Sequence, residues 1–247
     1  MASIESGALR TYRDAEFPPA ETPWRQAAFS VVDLEMTGLD PASDEIISFA
    51  TVTVSGGTVR LDDARYELVR PRRMPDWDTI RIHGLREVDL EGAPPLDKLL
   101  NDLLEALTGR PIVAHVAEVE RSFLDSALST LGTELRNPII DTASMGMELR
   151  RLQHVAPARR GGDPSTGLAV SSPGLSGLAR SLGLPVHRPH HADGDALTTA
   201  QVFIALATHL EKFNDPLTVG RMEEMSAEDR AQPPAGAFRR LFQRLRG

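Results

Sequence analysis

The stretch FSVVDLEMTGLDP, Phe29–Pro41, decides how the rest of the chain is read. A β-branched apolar run delivers two acids, Asp33 and Glu35, and a Thr37-Gly38 turn follows at once. Such a run, closed by turn residues, reads as a strand. Side chains two apart on a strand point to one face, so Asp33 and Glu35 aim at a common point while Leu34 packs on the other side. Two converging carboxylates repel each other unless positive charge lies between them, and a divalent cation is the usual answer. A metal site is one reading of this strand end and an ordinary surface acid pair is the other; the stretch alone leaves both open.

Composition narrows the classes. The 247 residues suffice for one large α/β domain with appendages or for two small domains, and we read one. With 41% hydrophobic and 25% charged residues the chain is ordinary for a soluble globular protein. It has no run of eighteen apolar residues, and its amino terminus is mixed and acidic rather than basic and then apolar. The expectation is a cytoplasmic protein with no membrane partner. The absence of cysteine excludes a disulfide framework, a zinc–thiolate site and a thiol nucleophile, so oxygen and histidine must hold any metal. A net charge of −8 argues against a protein that wraps long duplexes by neutralising phosphates. It permits a short nucleic-acid substrate, because acids gathered around metal ions add to the negative balance while the metal supplies the local positive charge.

Along the chain, residues 1–27 carry Pro18, Pro19 and Pro23 with little periodicity, which predicts an extended, partly disordered lead-in tacked down by Trp24. After the acid-bearing strand, the segment from Glu45 to Pro71 is β-rich, and Gly56-Gly57 between two strand-like runs predicts a hairpin. Residues 71–95 read as irregular. Asp97–Leu107 has helical periodicity, Pro111–His115 reads as a short buried strand, and Glu118–Leu131 is helical again. PIIDT, residues 138–142, predicts another short strand, followed by a helix over Ser144–Leu152. The Gly-, Pro-, Ser- and Arg-rich piece His154–Pro173 predicts a mobile surface loop. Gly174–Leu182 reads as a short helix, and Ala196–Phe213 is the strongest amphipathic helix, with Asp193 or Asp195 near a helix start. Beyond Asp215 the signal fades into a tail, 215–247, whose last residues, Ala237–Gly247, are basic with interleaved apolar positions. Those residues read as a frayed amphipathic tail or as a docking segment for a partner. The expected main domain is 28–214.

Three stretches carry chemistry in combination: Asp33-Leu-Glu35-Met-Thr-Gly38, His115-Val-Ala-Glu-Val-Glu120, and His190-His-Ala-Asp-Gly-Asp195-Ala. Together they resemble the three motifs of the DEDDh branch of the 3′-5′ exonucleases, the family of the polymerase III epsilon subunit, RNase T and oligoribonuclease. The resemblance covers roughly Phe29–Phe213. It implies an RNase H-like α/β fold, a mixed sheet of three antiparallel strands and then parallel strands, flanked by helices. It implies two divalent ions, Mg²⁺ or Mn²⁺, held by Asp33, Glu35, Glu120 and Asp195, with His190 as general base. Met36, Thr37 and Gly38 would lie beside the terminal nucleotide, and His83, in the IHGL stretch, and His115 would be substrate-binding. The implied activity is release of nucleoside monophosphates from single-stranded DNA or RNA 3′ ends, with a polymerase or another replication or repair protein as a partner. His190 is preferred to its neighbour His191 because it stands five residues before Asp195, as the motif requires; a histidine-rich loop that is merely polar, or that binds a transition metal on its own, is the plainer account of the same residues.

Two departures matter. The family usually carries asparagine after the motif histidine and aspartate four residues later, where this chain has Val116 and Glu120. Glu120 keeps the charge but moves it by one methylene, and metal–ligand distances tolerate only about 0.2 Å. Glu118, two residues earlier, falls on a different helix face. The alternative implied is a catalytically weakened exonuclease-fold protein acting as a nucleic-acid-binding or polymerase-associated subunit. The run DLEMTGLDP itself looks like oligoribonuclease, whereas IHGLRE and LARSLGLPVHRPHHADGDALTTAQ look more like epsilon, and the longer resemblance carries more weight.

Overall fold

The chain was analysed as a computed structural model that describes residues 7–160 and 174–230, with side chains for all of these but 155–160 and 228–230. Five strands, β1 (Ala28–Met36), β2 (Ile46–Ser55), β3 (Thr58–Leu68), β4 (Ile112–Ala114) and β5 (Ile139–Asp141), form one sheet in the order β3-β2-β1-β4-β5. The first three are antiparallel and consecutive, with Gly56-Gly57 turning β2 into β3, and β4 and β5 then add parallel to β1. This is the mixed sheet that the sequence predicts. The acid-bearing strand lies at its centre: β4 pairs with its first half at Ser30 and Val31, and β2 runs along its whole length, pairing Asp33 with Ala50 and Glu35 with Ser48.

The period-2 alternation of β1 sorts its side chains between two cores. Phe29 and Val31 pack with Ala196, Ala200 and Phe203 of the long helix α8 (Ala192–Leu210), in a cluster that also takes in α6 (Thr142–Arg160) and α7 (Leu175–Ser181). Val32 and Leu34 pack on the opposite face with α4 (Leu96–Leu107) and α5 (Glu118–Ser129). Asp33 and Glu35 share the parity of Phe29 and Val31 and so face the α8 side. Among the described residues no helix is long and apolar enough to cross a membrane.

Several segments differ from the sequence reading. The lead-in contains α1 (Gly7–Asp14), whose Leu9 and Tyr12 are buried against α4. Tyr12 Oη donates to Asn137 Oδ1 at 2.7 Å and accepts from the Arg136 N–H at 3.0 Å, long-range partners that local periodicity cannot reveal. Trp24 does tack the segment down: it is buried, meets Phe203 edge-on at 5.9 Å and donates Nε1–H to Glu211 at 2.5 Å. The piece expected to be irregular holds α2 (Trp77–His83) and α3 (Glu87–Leu90), two helices too short to display a period. The helix α6 runs to Arg160, past the expected end, and residues 161–173 of the expected loop lie outside the described residues. Where the signal fades after Asp215, α9 (Val219–Arg230) packs along α6 and β5 through Met222 and Met225. The basic segment Ala237–Gly247 lies outside the described residues.

Because α1 is part of the core, Tyr12→Ala should cost about 3 kcal/mol or more through the cavity and the stranded Asn137 carbonyl. Equilibrium urea unfolding reads this directly, and a loss below about 1 kcal/mol would mark residues 7–14 as an appendage.

Candidate active site

The carboxyl ends of β1 and β4 open on one crevice, where open α/β sheets bind ligands. β1 contributes Asp33, Glu35 and Met36, the turn after β4 contributes His115 and Val116, α5 brings Val119 and Glu120, and the start of α8 brings Asp195. The cleft measures about 620 Å³. Carboxylate oxygens of Asp33, Glu35 and Asp195 lie within 4.8 Å of one another. Glu120 lines the same cleft from the first turn of α5, outside that triad, and its Oε2 is buried with no hydrogen-bond partner among the described residues. Glu118 points away and pairs with Arg121 at 3.6 Å.

Crowding sets the electrostatics. Burial, then the charges of Glu35, Asp195 and Glu120, push Asp33 well above the usual carboxylate range. Burial and Asp195 raise Glu35 to about 8, and burial, then Asp141 and Glu35, raise Glu120 to about 8. Asp195 is raised by burial, against the opposing backbone N–H of His190. The acids have gathered with too little positive charge to keep them ionised, and a set of oxygen donors so disposed suits a hard divalent cation.

The loop before α8 positions the histidine. His190 lines the cleft with backbone φ of 60°, and its N–H donates to Asp195 Oδ2 at 2.9 Å. His187 is engaged with Gln201 and Thr198 on the flank of α8, and His191 caps that helix in extended conformation, so His190 is the one of the three that lines the cleft. Gly194 makes this arrangement possible. A Cβ there would sit 2.3 Å from His187 O and 2.7 Å from Arg188 O, so the loop could not fold back over the helix start. Gly38 has a similar reason, since its Cβ would lie 2.3 Å from the Asp44 carboxylate.

The remaining residues singled out from sequence divide. Met36, Gly38, His83 and His115 line the cleft. Thr37 is buried and turned inward: its hydroxyl donates to Asp44 Oδ1 at 3.2 Å and accepts from Glu45 N–H at 3.0 Å, latching the loop after β1. Its carbonyl accepts from Thr79 Oγ1 at 3.1 Å, which anchors α2. His83 accepts the Leu85 N–H on Nδ1 at 2.9 Å, so its proton resides on Nε2, which has no partner among the described residues. Burial, then the nearby His191 and His190, lower its pKa to about 4, so it is a neutral donor near neutrality.

Three contributors escaped the sequence reading. Arg180, inside LARSLGLP, places a guanidinium on the cleft wall, and Ile82 adds an apolar surface. Asp141 is buried behind the site, accepting the N–H groups of Val116 and Ala143, each at 2.9 Å. Its place directly after an apolar run, the same signal that exposed Asp33, could have marked it.

Val116 occupies the left-handed region at φ 62°, where a β-branched residue is an outlier and asparagine is tolerated. Val116→Asn should therefore stabilise the protein by about 1 kcal/mol, read as a higher urea midpoint. No gain would mean that the strain is relieved elsewhere.

The carboxylates predict a second dependence. An acid whose pKa rises on folding holds its proton more tightly in the native state, so its favourable contribution is complete below the unfolded value near 4.5. That contribution is lost as pH climbs through about 8. The melting temperature of metal-free protein should fall between about pH 5 and pH 8, and Mg²⁺ or Mn²⁺ should raise it more at pH 8 than at pH 5. Glu35→Gln should flatten the first effect. A metal response independent of pH would dissolve the cluster.

An exonuclease family model, that of RNase T, matches residues 30–203. Among curated relatives, DNA polymerase III PolC-type of Thermotoga maritima is 30% identical over 187 residues, 75% of this chain but 12% of that protein. The chain thus spans about an eighth of the PolC-type relatives it matches. The DNA polymerase III subunit epsilon of Treponema pallidum is 29% identical over 189 residues, covering 76% of this chain and 80% of that one. Exonuclease X in complex with 5′ overhanging duplex DNA superposes with a TM-score of 0.56 at 20% identity, over 80% of this chain and 99% of that one. E. coli Exonuclease I with a dT13 oligonucleotide gives 0.62 at 16% identity, over 77% and 43%. These structures share the RNase H-like exonuclease fold.

Proposed function

The chain belongs to the RNase T exonuclease family, and from that premise we propose that it is a metal-dependent 3′-5′ exonuclease releasing nucleoside monophosphates from single-stranded DNA or RNA ends. The observation that carries the reading is the convergence of Asp33, Glu35 and Asp195 within 4.8 Å, with the orphaned Glu120 oxygen in the same cleft. Those four acids fit two divalent ions, Mg²⁺ or Mn²⁺, which would supply the Lewis acidity that activates water and neutralises the phosphodiester.

The chain's own groups supply the rest. Asp33, Glu35 and Asp195 would hold the ions, with Glu120 completing the set from α5. His190 takes the proton of the attacking water, since imidazole accepts and releases protons near neutrality. The bond from its N–H to Asp195 ties the base to the acid cluster. Met36 and Gly38 flank the terminal nucleoside, the neutral His83 offers Nε2–H to it, and His115 adds a polar contact from the opposite wall. Arg180 meets a phosphate oxygen. The polymerase III relatives support a replication polymerase as partner.

A second reading, a binding subunit with weakened catalysis, draws on Glu120 alone. One experiment separates the two: incubation of 5′-labelled single-stranded DNA and RNA with Mg²⁺ or Mn²⁺. The expected result is a ladder shortening from the 3′ end, abolished by Asp33→Ala and lowered about 10²–10⁴-fold by His190→Ala with metal affinity retained. Glu120→Asp should preserve or raise the rate. No ladder in either metal, and none restored by Glu120→Asp, would sink the enzyme reading in favour of the binding subunit.

A further inference from the structure

Outside the cleft, the feature that the proposed reaction leaves unexplained is the outer face of α2. Trp77, in its first turn, is 71% exposed, the most exposed large apolar side chain among the described residues. The other tryptophan, Trp24, is buried in the core. A lone exposed indole needs no cover by itself, so its meaning rests on what stands around it. The helix is held firmly: Asp76 Oδ1 accepts the Thr79 N–H at 2.9 Å, and the single Thr79 hydroxyl proton is shared between Asp76 Oδ1 at 2.7 Å and the Thr37 carbonyl at 3.1 Å. The bond from Thr79 to the Thr37 carbonyl then ties α2 to the acid-bearing strand. The inner side of the same helix presents Thr79, Ile82 and His83 to the cleft. Trp77 thus stands about 9 Å along the axis from His83, the scale of a neighbouring nucleotide.

Charge points the same way. In a chain of net charge −8, residues 70–86 hold five arginines against two aspartates. Arg72 is engaged by Glu45 and Arg86 by Asp89. Arg81, one turn after Trp77 on the same helical face, is exposed and makes no ion pair among the described residues, and Arg70 is in the same state. An exposed aromatic one helical turn from the Arg81 guanidinium, on the rim of an acidic cleft that repels phosphate, has the chemistry of a single-strand binding surface.

We propose that α2 carries a second nucleotide subsite: Trp77 stacks on a base upstream of the terminal nucleotide, and Arg81 contacts the phosphate beside it. The proposal rests on the exonuclease reading for its direction along the strand. The platform would hold the strand as successive nucleotides leave, making the protein favour oligonucleotides over mononucleotide esters.

The test compares kcat/KM on a thymidine oligonucleotide with that on the p-nitrophenyl ester of thymidine 5′-monophosphate, which is too short to reach Trp77. Trp77→Ala should lower the oligonucleotide-to-ester ratio about tenfold, chiefly through KM, and Trp77→Phe should restore most of it. Arg81→Ala should lower the same ratio and flatten its dependence on salt. Independently of turnover, titrating the metal-free full chain with the oligonucleotide should quench tryptophan fluorescence, and Trp77→Phe should remove the quench. Turnover absent on both substrates counts against the exonuclease reading, while the quench still judges Trp77. An unchanged ratio in Trp77→Ala, or oligonucleotide binding without quenching, overturns the proposal and assigns the exposed indole to a protein partner.

Discussion

Mutual repulsion of the carboxylates is the constraint around which this molecule is built. Two ionised acids about 5 Å apart in an effective dielectric of about 20 repel by on the order of 3 kcal/mol, and this cleft brings together three such groups with a fourth nearby. A pliant scaffold would relieve the repulsion by moving apart. Here β1 cannot move, because β2 and β4 bond its two edges and α8 and α4 clamp its two faces. The acids hold protons instead: burial first, and then the charge of their neighbours, raises Glu35 and Glu120 each to about 8. Those protons are what a divalent cation would displace, so affinity for a cation grows as pH rises.

The strained backbone lies where the cleft needs it. Positive φ angles at Val116 and His190 fall on the two turns that enter the site from β4 and toward α8, each held by a carboxylate: Asp141 accepts the Val116 N–H and Asp195 accepts the His190 N–H. Left-handed residues survive only where their surroundings over-determine them. Asp195 consequently has two tasks, as a member of the acid triad and as the acceptor that shapes the histidine loop. Replacing it would alter both, whereas replacing Asp33 would alter only the first.

How far the site could be read from sequence follows from the range of each interaction. Asp33 and Glu35 were legible because strand parity is local, and Asp195 and His190 because a fixed five-residue spacing carries them. The hairpin was legible through Gly56-Gly57. Thr37 belongs to the turn that the motif marks, and its hydroxyl latches Asp44 and Glu45, a closure made with residues seven and eight positions on that the motif itself does not show. The helix α1 was missed because the burial of Tyr12 depends on Asn137, 125 residues away. α2 was missed because the prolines around it masked a helix defined by its Asp76 cap rather than by periodicity. Arg180 has no pattern at all; it becomes a cleft residue only when α7 docks beside α8.

The chain beyond residue 203, where the family match ends, reaches the site through a relay of hydrogen bonds. β5 is a three-residue strand at the end of the sheet order, so its outward backbone groups need partners that no further strand supplies among the described residues. α9 covers that edge, and Ser226 accepts the Asp141 N–H at 2.8 Å while donating to the Met222 carbonyl at 3.0 Å. Asp141 is in turn the acceptor that holds Val116 at the turn between β4 and α5, four residues before Glu120. The hydroxyl on α9 thus fixes the strand end whose carboxylate sets where α5 begins. A longer acid at position 120 is accommodated or not by the placement of that helix, so the fit of Glu120 to the cluster depends on a helix outside every motif that identifies the family.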